Sequence, residues 1–194
     1  MDNKFQNRYR ISPARLQNWD YRHAGTYFIT ICTKGKKYFF GEIKSDGMHL
    51  SQTGILADVF WHEIKNHTKE IELGEFIVMP NHIHGILFIF NKIENNSTVE
   101  TKHALSLPSK DFQTIGQKRF QNMGKNSVSS IIASYKSAVT RHAHRLGFEM
   151  EWQPGFYDHI IRDENEYCKI GDYILNNPQY WKDDKYFDCS NNSK

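Results

Sequence analysis

The sequence is short of several things at once, and each shortage removes a class of protein. Cysteine occurs three times in 194 residues, at Cys32, Cys168 and Cys189, with no C-x-x-C pair. So sparse and scattered a set supports neither a disulfide framework nor a structural zinc knot, and it fits a reducing cytoplasm. No stretch approaches the roughly 18 consecutive apolar residues of a membrane helix. The opening Met1-Asp-Asn-Lys-Phe-Gln-Asn-Arg lacks the apolar region of a secretory signal, so we expect a cytoplasmic protein with no membrane partner. There is no internal repeat and no glycine-rich phosphate loop of the G-x-x-x-x-G-K-[ST] kind. What is present is a chain with 39% hydrophobic, 24% charged and 14% aromatic residues, the size of one globular domain, and we expect a single domain over 1–194.

The formal net charge of +3 is small because opposite blocks cancel. Residues 1–44 hold nine Lys/Arg against three Asp/Glu, a net +6, and residues 118–145 hold six against none, another +6. Between and after them, residues 45–117 hold five against nine and residues 146–194 five against ten, net −4 and −5. Segregation of this kind can make a basic face on a near-neutral protein, the electrostatic footprint of a phosphate-backbone binder. On charge alone, a solvated surface with no partner accounts for the pattern equally well.

Gly25-Thr-Tyr-Phe-Ile-Thr-Ile-Cys-Thr-Lys is dense in β-branched and aromatic residues and reads as a strand, followed by a basic turn at Lys34-Gly-Lys-Lys. Two short strands flank the turn at Ser45-Asp-Gly. Ser51 then starts a helix running to about Lys65, with an apolar stripe at Ile55, Leu56, Val59, Phe60 and Ile64. Residues 71–90 contain two apolar runs split at Met79-Pro-Asn, where Pro80 cannot donate a ladder hydrogen bond. From 91 to about 126 the sequence is polar and aperiodic, and we expect a flexible insertion there. Val128 to about Arg145 reads as a helix with a stripe of Val128, Ile131, Ile132, Tyr135, Ala138 and Val139 and with Lys136, Arg141 and Arg145 off it. A last strand around Tyr157-Asp-His-Ile-Ile precedes a final helix from Asp163, which Pro178 ends near Asn176 or Asn177. The order β-β-α-β-α-β-α, with antiparallel-looking strands, predicts an α+β sandwich.

His82-Ile83-His84 lies in the apolar strand after Pro80. Residues i and i+2 of a strand share a face, so both imidazoles project together, half of a divalent-metal site. A hydrogen-bonded histidine pair with no metal is the alternative reading. On the final helix Tyr173 and Asn177 stand four residues apart on one face. An asparagine oxygen is a credible ligand for Mg²⁺ or Mn²⁺, and a phenol beside such an ion is a potential nucleophile. Packing and helix termination account for the same two residues equally simply.

Four segments carry a family resemblance. Pro80-Asn-His-Ile-His-Gly resembles the histidine–hydrophobe–histidine (HUH) signature of single-tyrosine transposases of the IS200-like kind. Gly25-Thr-Tyr-Phe-Ile-Thr-Ile-Cys-Thr, Trp152-Gln-Pro-Gly-Phe-Tyr-Asp-His-Ile-Ile-Arg-Asp-Glu and Tyr173-Ile-Leu-Asn-Asn-Pro are similar to the branch called REP-associated tyrosine transposases. The likeness covers about residues 20–182 and leaves 91–126 unmatched. It implies a ferredoxin-like, RRM-like antiparallel sheet with helices packed on it, the histidines on a central strand and the nucleophile on the C-terminal helix. It further implies His82, His84 and Asn177 as ligands of Mg²⁺ or Mn²⁺ and Tyr173 as nucleophile, with Tyr135 and Tyr157 as rivals. The implied activity is cleavage and rejoining of single-stranded or hairpin DNA through a 5′-phosphotyrosine, in a nucleoid-associated protein. A domesticated hairpin-binding protein without strand transfer, and a metal-dependent hydrolase using water, are the other readings. Lys34, Lys36, Lys37, Lys136, Arg141 and Arg145 are the basic residues expected to hold backbone phosphates, with Trp152, Phe156 and Trp19 as candidate stacking platforms. Monomer and homodimer both stay open.

Overall fold

A computed structural model describes residues 24–68, 70–90 and 127–187, together with a two-residue ladder pairing Lys4–Phe5 (β1) with Arg8–Tyr9 (β2). The expected insertion at 91–126 and Trp19 lie outside the described residues. The elements that follow are Gly25–Cys32 (β3), Gly41–Lys44 (β4), Gly47–Leu50 (β5), Gln52–His67 (α1), Ile71–Met79 (β6) and His82–Ile89 (β7). Val128–Arg145 (α2), Tyr157–Ile161 (β8) and Glu164–Asn176 (α3) complete them.

Four of these strands form one antiparallel sheet in the order β6-β7-β3-β8. With α1 joining β3 to β6 and α2 lying between β7 and β8, this is the β-α-β-β-α-β connection of ferredoxin-like folds. The β4–β5 hairpin is inserted ahead of α1, and α3 follows the last strand. The α+β architecture with an antiparallel sheet is therefore the one that forms. The Met79-Pro-Asn break proves to be a tight hairpin turn, since Met79 pairs directly with His82 across Pro80 and Asn81.

Strand β7 is interior, so its side chains meet packed layers on both faces. Ile83 and Leu87 point with Tyr27, Ile29 and Ile31 of β3 into a core shared with α1 and α2. Ile86 points the other way with Phe28, toward Ile170 and Ile174 of α3. Gly85 faces the first layer, where the Trp61 indole of α1 lies on it so closely that an added Cβ would come within 2.2 Å of the ring. Trp61 also stacks on Phe76 at 4.7 Å between centroids and meets Tyr135 of α2 edge-on at 5.5 Å.

This contact sets the rotation of α1 and corrects the expected stripe. Ile55 and Val59 are 51% and 47% exposed, and the buried residues are Thr53, Gly54, Ala57, Trp61 and Ile64. Small residues face inward because the helix approaches closely: a Cβ on Gly54 would meet the Phe40 carbonyl oxygen at 2.1 Å. The α2 stripe is as expected except that Ala138 is only half-buried and Ala143 is buried instead. Ser51, Ser127 and Asp163 cap the three helices, each accepting from the backbone N–H three residues on.

Trp61→Ala is expected to cost about 3–5 kcal/mol in urea unfolding, the range for truncating a buried aromatic. Gly85→Ala should also lower the thermal midpoint, because its methyl group has no space under the Trp61 ring; an unchanged midpoint would contradict this packing.

Candidate functional site

The face of the sheet opposite α1 and α2 carries His82 and His84 side by side, with ring centroids 4.5 Å apart. Both are buried, yet neither stands in an apolar environment. Asn81, itself buried, donates from Nδ2 to the carbonyls of Lys36 (3.2 Å) and Tyr186 (2.8 Å). Its Oδ1 is therefore the acceptor for His82 Nδ1–H at 2.9 Å, which leaves the His82 Nε2 lone pair facing the site. His84 is arranged likewise, with Nδ1 2.9 Å from Thr30 Oγ1 and Nε2 3.2 Å from the Tyr173 hydroxyl. These are the outer contacts that orient a ligating histidine and select its tautomer. Burial pushes the His82 imidazole down to about 3, helped by the charges of Lys185 and Lys36, and it holds His84 well below its ordinary value, so both rings are neutral near pH 7.

Helix α3 brings Tyr173 over this pair, its ring 5.2 Å from that of His84 and edge-on to Phe28 at 6.3 Å. The height of α3 comes from Ile170 and Ile174 resting on the sheet and from Tyr167 donating to Glu75 Oε1 at 2.9 Å. Burial, then the Asp184 carboxylate, pushes the Tyr173 phenol up to about 12. Asn177, at the end of the same helix, donates from Nδ2 to Asp184 Oδ2 at 3.1 Å. The chain after α3 folds back so that ligand atoms of His82, His84 and Asp184 all lie within 4.8 Å of one another. Tyr186 closes over the group, its ring 4.5 Å from that of His82.

Among the described residues, two buried polar atoms here have no hydrogen-bond partner, His82 Nε2 and Asn177 Oδ1. Orphaned atoms of this kind are costly unless something else satisfies them. Two neutral imidazoles, a carboxylate and an amide oxygen are a chemically sound donor set for a divalent cation, so the residues fit the metal that the sequence implied.

The basic residues divide sharply. Lys34 is ion-paired with Glu151. Lys36 donates to the Lys185 carbonyl at 3.0 Å, and Lys37 lies over the Phe39 ring. Lys136, Arg141 and Arg145 belong to α2, behind the sheet, and do not border the histidine pair. Lys136 is committed to the carbonyls of Gln153 and Gly155, and burial lowers its pKa. Trp152 and Phe156 are partly buried against the core, Trp152 lying on Phe40 and Tyr135. Of the rival tyrosines, Tyr135 is buried and donates to Ala57 O, and Tyr157 sits exposed on β8 beside Phe28.

Sequence reasoning missed Asn81, Thr30, Asp184, Lys185 and Tyr186. Asn81 was visible inside the Pro80-Asn-His-Ile-His motif and Asp184 in the acidic pair after the final helix. Nothing local marks Thr30, Lys185 or Tyr186.

The antiparallel ferredoxin-like sheet, with the histidine pair on its interior strand and α3 over it, resembles the fold of a solved REP-associated tyrosine transposase. The chain is similar to the solved structure of such a transposase bound to a REP hairpin, with a TM-score of 0.52 and 20% identity over 81% of this chain and 68% of that one. It belongs to one family with a Haemophilus influenzae (strain KW20/Rd) protein described as uncharacterized, 36% identical over 177 residues, 89% of this chain and 91% of the relative. No family model matches the chain. Among the described residues no helix is long and apolar enough to cross a membrane.

Mn²⁺ in excess should raise the thermal midpoint of the wild-type protein and leave His82→Ala unmoved, because that substitution removes one donor of the group that could hold an ion. Asn81→Ala should need about 10–100-fold more Mn²⁺ for the same shift, the usual cost of losing a contact that orients a ligand.

Proposed function

We propose that the protein is a metal-dependent single-stranded DNA transposase or endonuclease that cleaves and rejoins DNA, at hairpin (REP-like) sequences, through a 5′-phosphotyrosine on Tyr173. The observation that carries this reading is the 3.2 Å approach of the Tyr173 hydroxyl to His84, on a face where His82 Nε2 and Asn177 Oδ1 lack partners among the described residues. The fold is shared with a transposase solved on a REP hairpin, which supports hairpin DNA as the partner. His82, His84 and Asn177, with Asp184 beside them, would hold Mg²⁺ or Mn²⁺. The imidazoles favour Mn²⁺, because Mg²⁺ prefers oxygen ligands. Such an ion, when bound, polarises the non-bridging oxygens of the scissile phosphate.

The rest of the chemistry belongs to the chain. The His84 Nε2 lone pair cannot serve both a cation and a proton, so Asp184 Oδ2, 3.4 Å from the Tyr173 hydroxyl, is the remaining acceptor for the phenol proton. The Tyr173 oxygen bonds to phosphorus while the bond from phosphorus to the 3′ oxygen breaks, and that oxygen leaves protonated as a free 3′-hydroxyl. One phosphoester replaces another, so a second 3′-hydroxyl reverses the step and joins strands without a nucleotide cofactor. Lys36 and Lys185, whose charges act on His82, would hold phosphates beside the centre. Lys34, Lys37, Lys136, Arg141 and Arg145 would then serve more distant backbone contacts.

Incubation with a single-stranded hairpin and Mn²⁺ should give a denaturation-resistant protein–DNA adduct that is absent in Tyr173→Phe and strongly reduced in His84→Ala. An adduct that persists in Tyr173→Phe would overturn the assignment. Hairpin binding with no cleavage under any divalent ion would instead make this a binding protein.

A further inference from the structure

Strand β6 is interrupted by a bulge where α3 crosses it. Leu73 pairs with Leu87 and Phe76 with Gly85, so Gly74 and Glu75 together stand opposite the single residue Ile86. Leu73 and Phe76 both pack into the layer of α1 and α2. In a regular strand Glu75 would share the face of Leu73. The extra residue turns it instead to the opposite face, toward α3. There Glu75 Oε1 accepts from the Tyr167 hydroxyl at 2.9 Å. The buried backbone of Gly171 lies against the same carboxyl, where an added Cβ would come within 3.5 Å of its Cδ. The other oxygen, Oε2, is buried and has no hydrogen-bond partner among the described residues. A carboxylate half satisfied in this way costs stability, and positions that break a local rule at such a cost are typical of functional regions.

What this carboxylate governs is the seat of α3. Ile170 and Ile174 rest on the sheet by apolar contact, which is non-directional and leaves the slide and rotation of the helix loosely defined. Hydrogen bonds are directional, and two of them tie consecutive residues of α3 to opposite edges of the sheet. Tyr167 donates to Glu75 of β6, and Glu166 Oε1 meets His159 Nε2 of β8 at 2.7 Å. The Glu75 hydrogen bond, then burial, pushes the Tyr167 phenol up to about 12, so it stays a donor near pH 7. Tyr173 lies six residues further along the same helix, about 9 Å of rise. A shift of α3 at Tyr167 is therefore carried to the Tyr173 hydroxyl, 3.2 Å from His84. We propose that Glu75 and Tyr167 are positioning residues for Tyr173: the bulge aims the Glu75 carboxylate at α3, and the Tyr167 hydroxyl reads it to fix where the helix lies across the sheet and how it is turned. The proposal rests on the reading of Tyr173 as the nucleophile, and neither residue belongs to the donor set around the histidines.

Single-turnover adduct formation with saturating hairpin and Mn²⁺ tests this, together with fluorine NMR of the full chain labelled with meta-fluorotyrosine, in which Tyr173→Phe identifies the Tyr173 resonance. Glu75→Ala and Tyr167→Phe should each slow adduct formation by about 10- to 100-fold, the consequence of displacing a reacting group by about 1 Å. Hairpin affinity and the Mn²⁺-induced midpoint shift should stay as in the wild type. The double variant should be no slower than the single ones, because all three break one contact. Glu75→Gln, which keeps an acceptor for Tyr167, should remain within about threefold of the wild-type rate. The Tyr173 resonance should move in Glu75→Ala and Tyr167→Phe and return in Glu75→Gln. Tyr135→Phe is the control for stability alone, since it loses a buried hydroxyl bond in the other layer, to Ala57 O, and should leave the rate unchanged. A rate that falls as far in Tyr135→Phe overturns the proposal, as does an unmoved Tyr173 resonance in Glu75→Ala. No adduct in the wild type defeats the nucleophile reading itself, whereas an adduct formed by Glu75→Ala at the wild-type rate defeats the positioning role alone.

Discussion

Successive side chains of a strand must point to opposite faces, and β7 is paired on both edges, so nothing on it can turn away from the packed layers. His82-Ile83-His84-Gly85 therefore commits alternate residues to two different tasks within four positions. Ile83 and Gly85 belong to the helical layer, where Trp61 seats directly on the backbone at Gly85. His82 and His84 belong to the opposite layer, where their rings stand together. A slip of one residue in pairing with β3 or β6 would put both imidazoles under α1 and leave Ile83 in the site. The packing of the core and the presence of the histidine pair are thus one constraint, met by one register.

Burying two imidazoles side by side has electrostatic consequences that run through the neighbouring elements. Neither ring takes up a proton near neutral pH, because desolvation and the nearby lysine charges oppose it. The lone pairs stay available, and Asn81 and Thr30 aim them. Asn81 does more than orient one ring, since the same amide ties together the basic turn at Lys36 and the returning chain at Tyr186. Lys36 keeps a left-handed backbone conformation, φ 54°, while its carbonyl accepts from that amide. The ammonium groups of Lys36 and Lys185 and the carboxylate of Asp184 consequently all act on the histidine pair beside Tyr173.

Much of this was legible before any coordinates. The strand periodicity around residues 25–32 and 82–89, the caps at Ser51 and Asp163, and the stop at Pro178 are local features, and they fell where local physics puts them. The α1 stripe differs from the helical-spacing expectation for a nonlocal reason: the close approach of Gly54 to the Phe40 carbonyl and the seat of Trp61 on Gly85 turn Gly54, Ala57 and Trp61 inward and leave Ile55 and Val59 outward. The side of the sheet on which the basic flank of α2 lies is a nonlocal matter as well. Helical spacing shows which residues share a face, but it is silent on which side of the sheet that helix lies. Aromatic residues such as Trp152 and Phe156 serve stacking and packing equally in a sequence, and only their neighbours show how much of each ring is packed.

By itself the sequence determined the alternation of β7, the adjacency of its two histidines, and the four-residue spacing of Tyr173 and Asn177, because each depends only on backbone period. Which helix covers the histidines, that Asp184 returns to them from beyond α3, that Asn81 sets the tautomer of His82, and that Lys136 is committed to loop carbonyls were decided by tertiary structure alone. Those facts depend on contacts between residues far apart in the chain, such as Asn81 and Tyr186, 105 positions apart. No local period encodes a distance of that kind; it arises when the sheet order and the packing of α3 close the fold around β7.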